Sequence, residues 1–297
     1  MIHNKHNKPK LISKLCFGTA NFANNYGILK KKNNLSKKKI KNILELLKKN
    51  KISNIDTAIF YKNVEKKIGH FNLKNFSIFT KLPKLPKKCT DIKKWSLMNI
   101  NHSLNNLNKK RLPGVFIHHS EDLIGKNKIK LYEALLSLKK KKLINKIGVS
   151  IYNFNTLDKI LDEFKVDMIQ VPFNILDRRL ATKNYLNKIK KKKIQIHVRS
   201  IFLQGILLAN IKKIPKKFLK WKNLFKSWHA WLEKNKLSKL QACLNFILSF
   251  KQIDVIIFGA CSKMQIEQII NTVNQSTKLY PKNIISNNLQ LIDPRQW

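Results

Sequence analysis

The stretch Asp56-Thr57-Ala58-Ile59-Phe60-Tyr61, closed by Glu65 and by Ile68-Gly69, carries the reading of this chain. It follows a short apolar run, Ile52-Ser53-Asn54-Ile55, that reads as a buried strand. An aspartate at the end of such a strand, with a tyrosine five residues on, puts two titratable groups at one rim. A second apolar run, Phe76-Ser77-Ile78-Phe79, ends in Thr80-Lys81. A third, Val115-Phe116-Ile117, ends in His118-His119. Asp, Tyr, Lys and His, each delivered at or just after the end of a successive strand, form a set of residues able to hold and move protons.

Working outward, the same alternation runs through the chain. Leu11 to Phe17 reads as the first strand and ends in Gly18-Thr19-Ala20. Ser36 reads as the N-cap of a helix carrying Ile40, Ile43, Leu44 and Leu47 at helical spacing. Helices are predicted around Val64–Gly69, from about Asp91 to Leu107 and from about Asn127 to Lys142. A fifth strand, Ile144 to Val149, ends in Ser150. A helix marked by Leu157, Ile160, Leu161 and Phe164 leads to a sixth, Val166 to Ile169, ending in Gln170. After a helix near Lys183–Lys192, a seventh strand, Ile194 to Val198, ends in Arg199-Ser200. A longer insertion follows, with Pro215, Trp221, Trp228 and Trp231. Then come a helix from about Leu237 to Phe250, an eighth strand from Asp254 to Phe258 ending in Gly259, and a helix from about Ser262 to Val273. Eight strand–helix alternations with no second core left over predict an α/β fold of one domain, a closed (β/α)₈ TIM barrel. No strand–GxGxxG–helix fingerprint supports an open doubly wound sheet. The expected division is a polar lead at 1–10, the barrel at 11–280 and a C-terminal tail at 281–297.

Composition narrows the function classes. With 43% hydrophobic residues among 297, the chain can build a real core. Cys16, Cys89, Cys243 and Cys261 show no CxxC spacing, which suits reduced thiols in a cytoplasm, and no metal site is expected. The lead, Met1 to Lys10, lacks an apolar signal core, and no run reaches the roughly 18 apolar residues that span a bilayer. A cytoplasmic protein without a membrane partner is expected. The net charge of +45 points towards nucleic acid, but only five of the 61 basic residues are arginine. Base-reading proteins rely on the arginine fork. Lysine runs such as Lys139–Lys142 and Lys190–Lys193 close predicted helices, where cations suit the helix dipole. No specific nucleic-acid partner is expected, and oligomeric state is not legible.

The Asp56-to-Gly69 signature, with Thr80-Lys81, Ile117-His118, Gly148-Val149-Ser150 and Gln170 in order, resembles the aldo-keto reductase family from about Lys14 to Val273. The resemblance implies a TIM barrel that binds a nicotinamide cofactor, usually NADPH, with no Rossmann domain. It implies Tyr61 as general acid, Lys81 as its neighbour, Asp56 as the partner of Lys81 and His118 as the orienting group. The chemistry is coherent unaided. A carbonyl accepting hydride develops alkoxide character and needs a proton donor and positive potential. A free tyrosine, with pKa near 10, is too weak an acid at neutral pH, and a neighbouring lysine cation is expected to lower that value.

The resemblance further implies Ser150 and Gln170 on the nicotinamide carboxamide. Ser200 and nearby backbone would take the pyrophosphate, Gly18, Thr19 and Gly259 would line the cofactor, and Ser262, Lys263 and Gln265 would lie at the 2′-phosphate. Four departures stand out. Ile151 replaces an asparagine common in the family, Arg199 a tyrosine stacked under the nicotinamide, Gln265 an arginine, and Gln268-Ile269 a Glu-Asn pair. Cofactor choice is therefore expected to be looser than the family's usual preference, with NADPH binding better than NADH by a factor that shrinks as ionic strength rises. The segments Gln170-Val171-Pro172-Phe173-Asn174 and Arg199-Ser200…Gly205 resemble bacterial members, some linked to surface-sugar biosynthesis. The resemblance implies a small-molecule aldehyde or ketone as substrate, sugar-derived ones included, and the sequence does not name it. Arg178 and Arg179 are candidate substrate contacts. Two other classes compete: a cofactor-binding regulatory or scaffold barrel without turnover, and a basic polyanion-binding protein.

Overall fold

The structure, a computed structural model, describes residues 11–23 and 36–297; the polar lead at 1–10 lies outside the described residues. Eight parallel strands close on themselves in chain order: β1 (Leu15–Gly18), β2 (Asn54–Asp56), β3 (Ser77–Leu82), β4 (Gly114–Ile117), β5 (Ile147–Ser150), β6 (Met168–Pro172), β7 (Gln195–Arg199) and β8 (Val255–Phe258). β8 returns to β1, pairing Ile257 with Cys16. The helices are α1 (Lys37–Lys49), α2 (Val64–Gly69), α3 (Ile92–Leu107), α4 (Lys128–Lys140), α5 (Phe154–Glu163), α6 (Tyr185–Lys191), α7 (Lys222–Lys234), α8 (Lys239–Leu248), α9 (Lys263–Asn274) and α10 (Leu289–Ile292). Local chemistry explains several of their starts. The Ser36 side chain accepts from the Lys39 amide, Asp91 from that of Lys94, and Ser238 and Gln241 form a reciprocal capping box. The predicted apolar stripe of α1, Ile40, Ile43, Leu44 and Leu47, is the buried face of that helix.

Strand alternation then sorts the residues. Outward side chains, among them Phe17, Ile55, Ile78, Val115, Val149, Ile169, Ile196 and Phe258, form one core with the surrounding helices. Inward side chains fill the lumen in separate clusters, Phe79 with Phe116 and Met168, and Cys16 with Val255 and Ile257. His197 completes this layer, its ring 5.1 and 5.2 Å from those of Phe79 and Phe116. Two residues further along each strand, the next inward layer is Gly18, Asp56, Lys81, His118, Ser150, Gln170, Arg199 and Gly259. One parity rule thus carries a ring of polar side chains to the C-terminal mouth.

The strands differ from the sequence reading in a consistent way. β3, β5, β6 and β7 extend one to three residues beyond the predicted apolar runs, and β2 is shifted likewise. Apolar runs mark where a strand is buried, but parallel pairing continues through polar lumen residues, as in Ser150↔Gln170 and Pro172↔Arg199. Lys81, Ser150, Gln170 and Arg199 are therefore strand residues and not loop residues, which stiffens them. β1 is shorter than expected, because Leu11 and Ile12 have helical backbone. The insertion after β7 holds three short 3₁₀ segments and α7, a helix the sequence reading left unassigned.

The tail at 281–297 is built onto the barrel. Arg178 donates to the carbonyls of Pro281, Lys282 and Ile284, and Leu291, Ile292 and Asp293 are buried. Trp297 packs on Phe218 of the insertion at a ring separation of 5.0 Å.

Candidate active site

The Asp56-to-Gly69 stretch is held by bonds that cross to β3. The Thr57 and Ile59 amides donate to the Phe79 and Lys81 carbonyls at 2.8 and 3.2 Å. Glu65, buried at the start of α2, accepts from Thr80 Oγ1 at 2.5 Å and from Ser103 Oγ at 2.7 Å. Burial pushes its carboxyl above the usual range, and the two hydroxyls pull the other way. A Cβ on Gly69 would lie 1.8 Å from the Asn106 carbonyl, so this glycine is what lets α2 touch α3. Glu65 and Gly69 are therefore the scaffold that sets the loop bearing Tyr61.

At the mouth, Lys81 Nζ, almost wholly buried, donates to Asp56 Oδ1 at 2.5 Å and to the Thr57 carbonyl at 2.8 Å. Gln170 Nε2 donates to the other carboxylate oxygen of Asp56 at 2.7 Å. The ammonium lies 5.5 Å from the centre of the Tyr61 ring, and the His118 ring meets Tyr61 edge-on at 6.3 Å. The four expected catalytic residues are thus brought together.

Their electrostatics differ from the sequence expectation. Tyr61 is held well above the ordinary phenol range, first by burial, then by the charge of Asp56 and by Tyr152; Arg199 is the cation that opposes this. Lys81 does not lower it, because its charge is spent on Asp56 and the Thr57 carbonyl. His118 is pushed down to about 3, by burial first and then by Lys81, His119 and Arg199, so it is neutral at physiological pH.

A cavity of about 670 Å³ starts at Tyr61, Asp56 and Gln170 and runs under the insertion to Gln265 and Gln268. That size suits a small molecule or cofactor. Buried polar atoms normally have partners, yet Thr57 Oγ1, His118 Nδ1, Gln170 Oε1 and Arg199 Nη1 have none. Gly259 leaves room where a Cβ would come within 2.5 Å of Asn21 Nδ2, which keeps backbone and amide open along the cavity wall. Orphaned acceptors and donors at one end, and a bare backbone edge further along, fit a dinucleotide with a carboxamide at the Gln170 end.

The remaining expected cofactor residues divide. Gly18, Gln170, Arg199, Ser200, Gly259 and Gln265 line the cavity. Ser200 does so from a left-handed turn, φ 56°. Thr19 is buried and donates to the Asp56 carbonyl at 3.1 Å, and Ser150 is buried beside Gln170, so these two support the wall from behind. Ser262 caps α9, and Lys263 points to solvent, 3.7 Å from Glu267. Lys239 lines the far end instead, its Nζ 2.8 Å from Asn210 Oδ1. Asn21, His229 and Lys239 were missed because nothing local in the sequence ties them to the strand ends.

Neither proposed substrate arginine reaches the cavity. Arg178 is saturated by carbonyls of Ile175 and the tail. Arg179 forms a fork with buried Asp177 at 2.8 Å and donates to the Tyr152 carbonyl. Both lie in the loop after β6 as expected. Arg179 takes the ion pair with Asp177 that the sequence also offers, whereas the tail carbonyls that occupy Arg178 come from a distant segment.

Comparison with known proteins places these features in context. The model of the Aldo/keto reductase family matches residues 14–283. A putative aldo-keto reductase from Pseudomonas aeruginosa superposes with a TM-score of 0.65 at 18% identity, over 88% of this chain and 90% of that one. The holo form of an aldo-keto reductase from Bacillus halodurans superposes with a TM-score of 0.67 at 18% identity, over 91% and 94%. Among curated proteins none matches the chain.

Proposed function

Because the chain belongs to the aldo/keto reductase family, we propose that it reduces an aldehyde or ketone to an alcohol with NADPH, Tyr61 delivering the proton. The observation that carries this reading is the gathering of partnerless buried polar atoms around Tyr61 and the Asp56–Lys81 pair, beside a cavity that Tyr61, Asp56, Gln170 and Arg199 line. The intact set argues for turnover and against a scaffold barrel.

The bound nicotinamide would supply hydride to the carbonyl carbon. Gln170 Oε1 and Ser200 would hold the cofactor, and Lys239, Gln265 and Gln268 would meet its far end. Tyr61 keeps its proton at neutral pH, because burial and Asp56 both disfavour the phenolate; it releases the proton only to an oxygen that has gained charge. Neutral His118 orients the substrate oxygen without competing as an acid. Asp56 fixes the Lys81 ammonium beside the ring, and Arg199 is the cation whose charge favours the phenolate formed after transfer. Phe202, Leu208 and Leu232 of the insertion wall the cavity and keep water from the reacting carbon. The thiols of Cys16, Cys89 and Cys243 are free, which suits a reducing, cytoplasmic setting.

The test is Tyr61→Phe. Carbonyl reduction should fall about 10²–10⁴-fold, while NADPH affinity, read from quenching of tryptophan fluorescence, stays within a few-fold. A variant keeping more than about a tenth of native turnover would remove Tyr61 from the role of acid.

A further inference from the structure

The positive charges around the mouth are almost all spent. Lys81 is paired with Asp56, Arg179 with Asp177, and Arg295 with buried Asp293 through Nε and Nη2. Arg178 gives Nε, Nη1 and Nη2 to four backbone carbonyls. Arg199 is the exception among the described residues of this end. Its Nη2 donates to the Ile151 carbonyl at 3.1 Å, and its Nη1 is buried with no partner.

The side chain is also held still. Its guanidinium stacks 3.7 Å over Tyr152, whose ring has the Arg295 guanidinium at 3.8 Å. Arg199 lines the same cavity as Tyr61. A guanidinium cannot shed its proton to relieve an unmet charge. Buried Asp293 feels this charge but is forked to Arg295, so the Nη1 proton of Arg199 is left for another anion. Neutral His118, across the mouth and within reach of its charge, offers none.

We propose that Arg199 is the specificity-determining group for an oxyanion on the substrate, so that preferred substrates are aldehydes or ketones bearing a carboxylate or phosphate a few bonds from the carbonyl. This rests on the reading of Tyr61 as the proton donor at that end of the cavity. It departs from the stacking place under the nicotinamide that the resemblance implies, because the guanidinium is turned to Tyr152 and the Ile151 carbonyl. A rigid fork whose ordering is already complete binds an oxyanion at little entropic cost. The free N–H is the strong contact, and the rest of the guanidinium is committed to Tyr152 and Ile151.

The experiment compares kcat/KM for 4-carboxybenzaldehyde against methyl 4-formylbenzoate, and for glyceraldehyde 3-phosphate against glyceraldehyde, in the native enzyme, Arg199→Gln and Arg199→Lys. The readout is the ratio of charged to neutral substrate within each pair. Loss of one charge-assisted contact should lower that ratio about ten- to hundredfold in Arg199→Gln, with partial retention in Arg199→Lys. The pair that shows the larger ratio tells carboxylate from phosphate. An equal loss on both members of each pair, or an unchanged ratio in both variants, overturns the assignment.

A second arm is calorimetric titration of the NADPH-saturated protein with benzoate and with benzamide. Benzoate binding that is lost in Arg199→Gln supports the site, and benzoate binding no tighter than benzamide refutes it. If the native protein binds NADPH yet reduces none of the aldehydes, the proposed reaction fails, and this second arm still decides the role of Arg199.

Discussion

Two lysines near the far end of the cavity differ in how available their charge is: Lys263, which the resemblance placed at the 2′-phosphate, and Lys239, which it did not name. Lys263 is exposed and shares its charge with Glu267, whereas Lys239 lines the cavity and is bound only to the neutral Asn210 oxygen. Lys239→Ala should therefore lose more NADPH than NADH affinity, by about tenfold, and Lys263→Ala should change the two alike. Fluorescence titration of both cofactors against both variants checks this; a selective loss confined to Lys263→Ala would restore the first expectation. Deeper in the lumen, His197 is fully buried with neither ring nitrogen partnered, and it is pushed down to about 3 by burial first, then by Lys146 and Lys81. The unfolded chain takes up a proton on this residue below about pH 6.5, while the folded chain does not until pH approaches 3. Its contribution to stability therefore falls as pH drops through that window, by at most about 1.4 kcal/mol per pH unit. Denaturant unfolding at pH 7 and pH 5 should show a smaller loss in His197→Phe than in the native protein. An identical loss would mean that His197 is hydrated and titrates normally.

Among the elements, the short helix α2 does more than connect. It hangs from β3 and α3 through Glu65, with Thr80 and Ser103 as donors, and it rests against α3 where Gly69 meets the Asn106 carbonyl. A methyl group at Gly69 cannot be absorbed by a flexible side chain, because the obstacle is backbone. Gly69→Ala should cost about 1–3 kcal/mol, the usual range for overpacking. It should also lower kcat, since the displaced helix carries the loop that holds Tyr61. Denaturant melts and steady-state rates of this variant check both, and a stable variant with normal kcat would show that α2 and α3 separate freely. The motif that announces the fold thus mixes chemistry and carpentry: Asp56 and Tyr61 face the cavity, while Glu65 and Gly69 keep them there.

For the molecule as a whole, the net charge of +45 is the dominant long-range term. Its 16 acidic residues cannot neutralise 61 basic ones, and several are already taken by surface pairs such as Lys128–Glu163 and Lys190–Asp254. Self-repulsion destabilises the compact state and is screened by salt. Raising ionic strength from about 0.05 to 0.5 M should therefore raise Tm by several degrees, as measured by scanning calorimetry. A falling Tm would mean that the ion pairs outweigh the repulsion.

Much of this was legible from the order of residues alone. Hydrophobic period distinguishes strands from helices locally, so eight alternations predicted a barrel, and the titratable residues at the strand ends predicted a site. Asp56, Lys81, His118, Gln170 and Arg199 were found together because each closes or follows an apolar run that reads as a strand, and the family resemblance selects the same positions. Only the closed structure decided which charges remain available. Arg178 and Arg179 were spent on a returning tail and a buried aspartate, Lys81 on Asp56, and Lys263 on Glu267, while Lys239 and Arg199 kept theirs for the cavity. Arg179–Asp177 and Lys263–Glu267 are neighbours in sequence. The pairing of Lys81 with Asp56 and of Arg178 with the tail, and the lack of an acidic partner at Arg199 and Lys239 among the described residues, depend on distances between segments far apart in the chain, which no local pattern encodes.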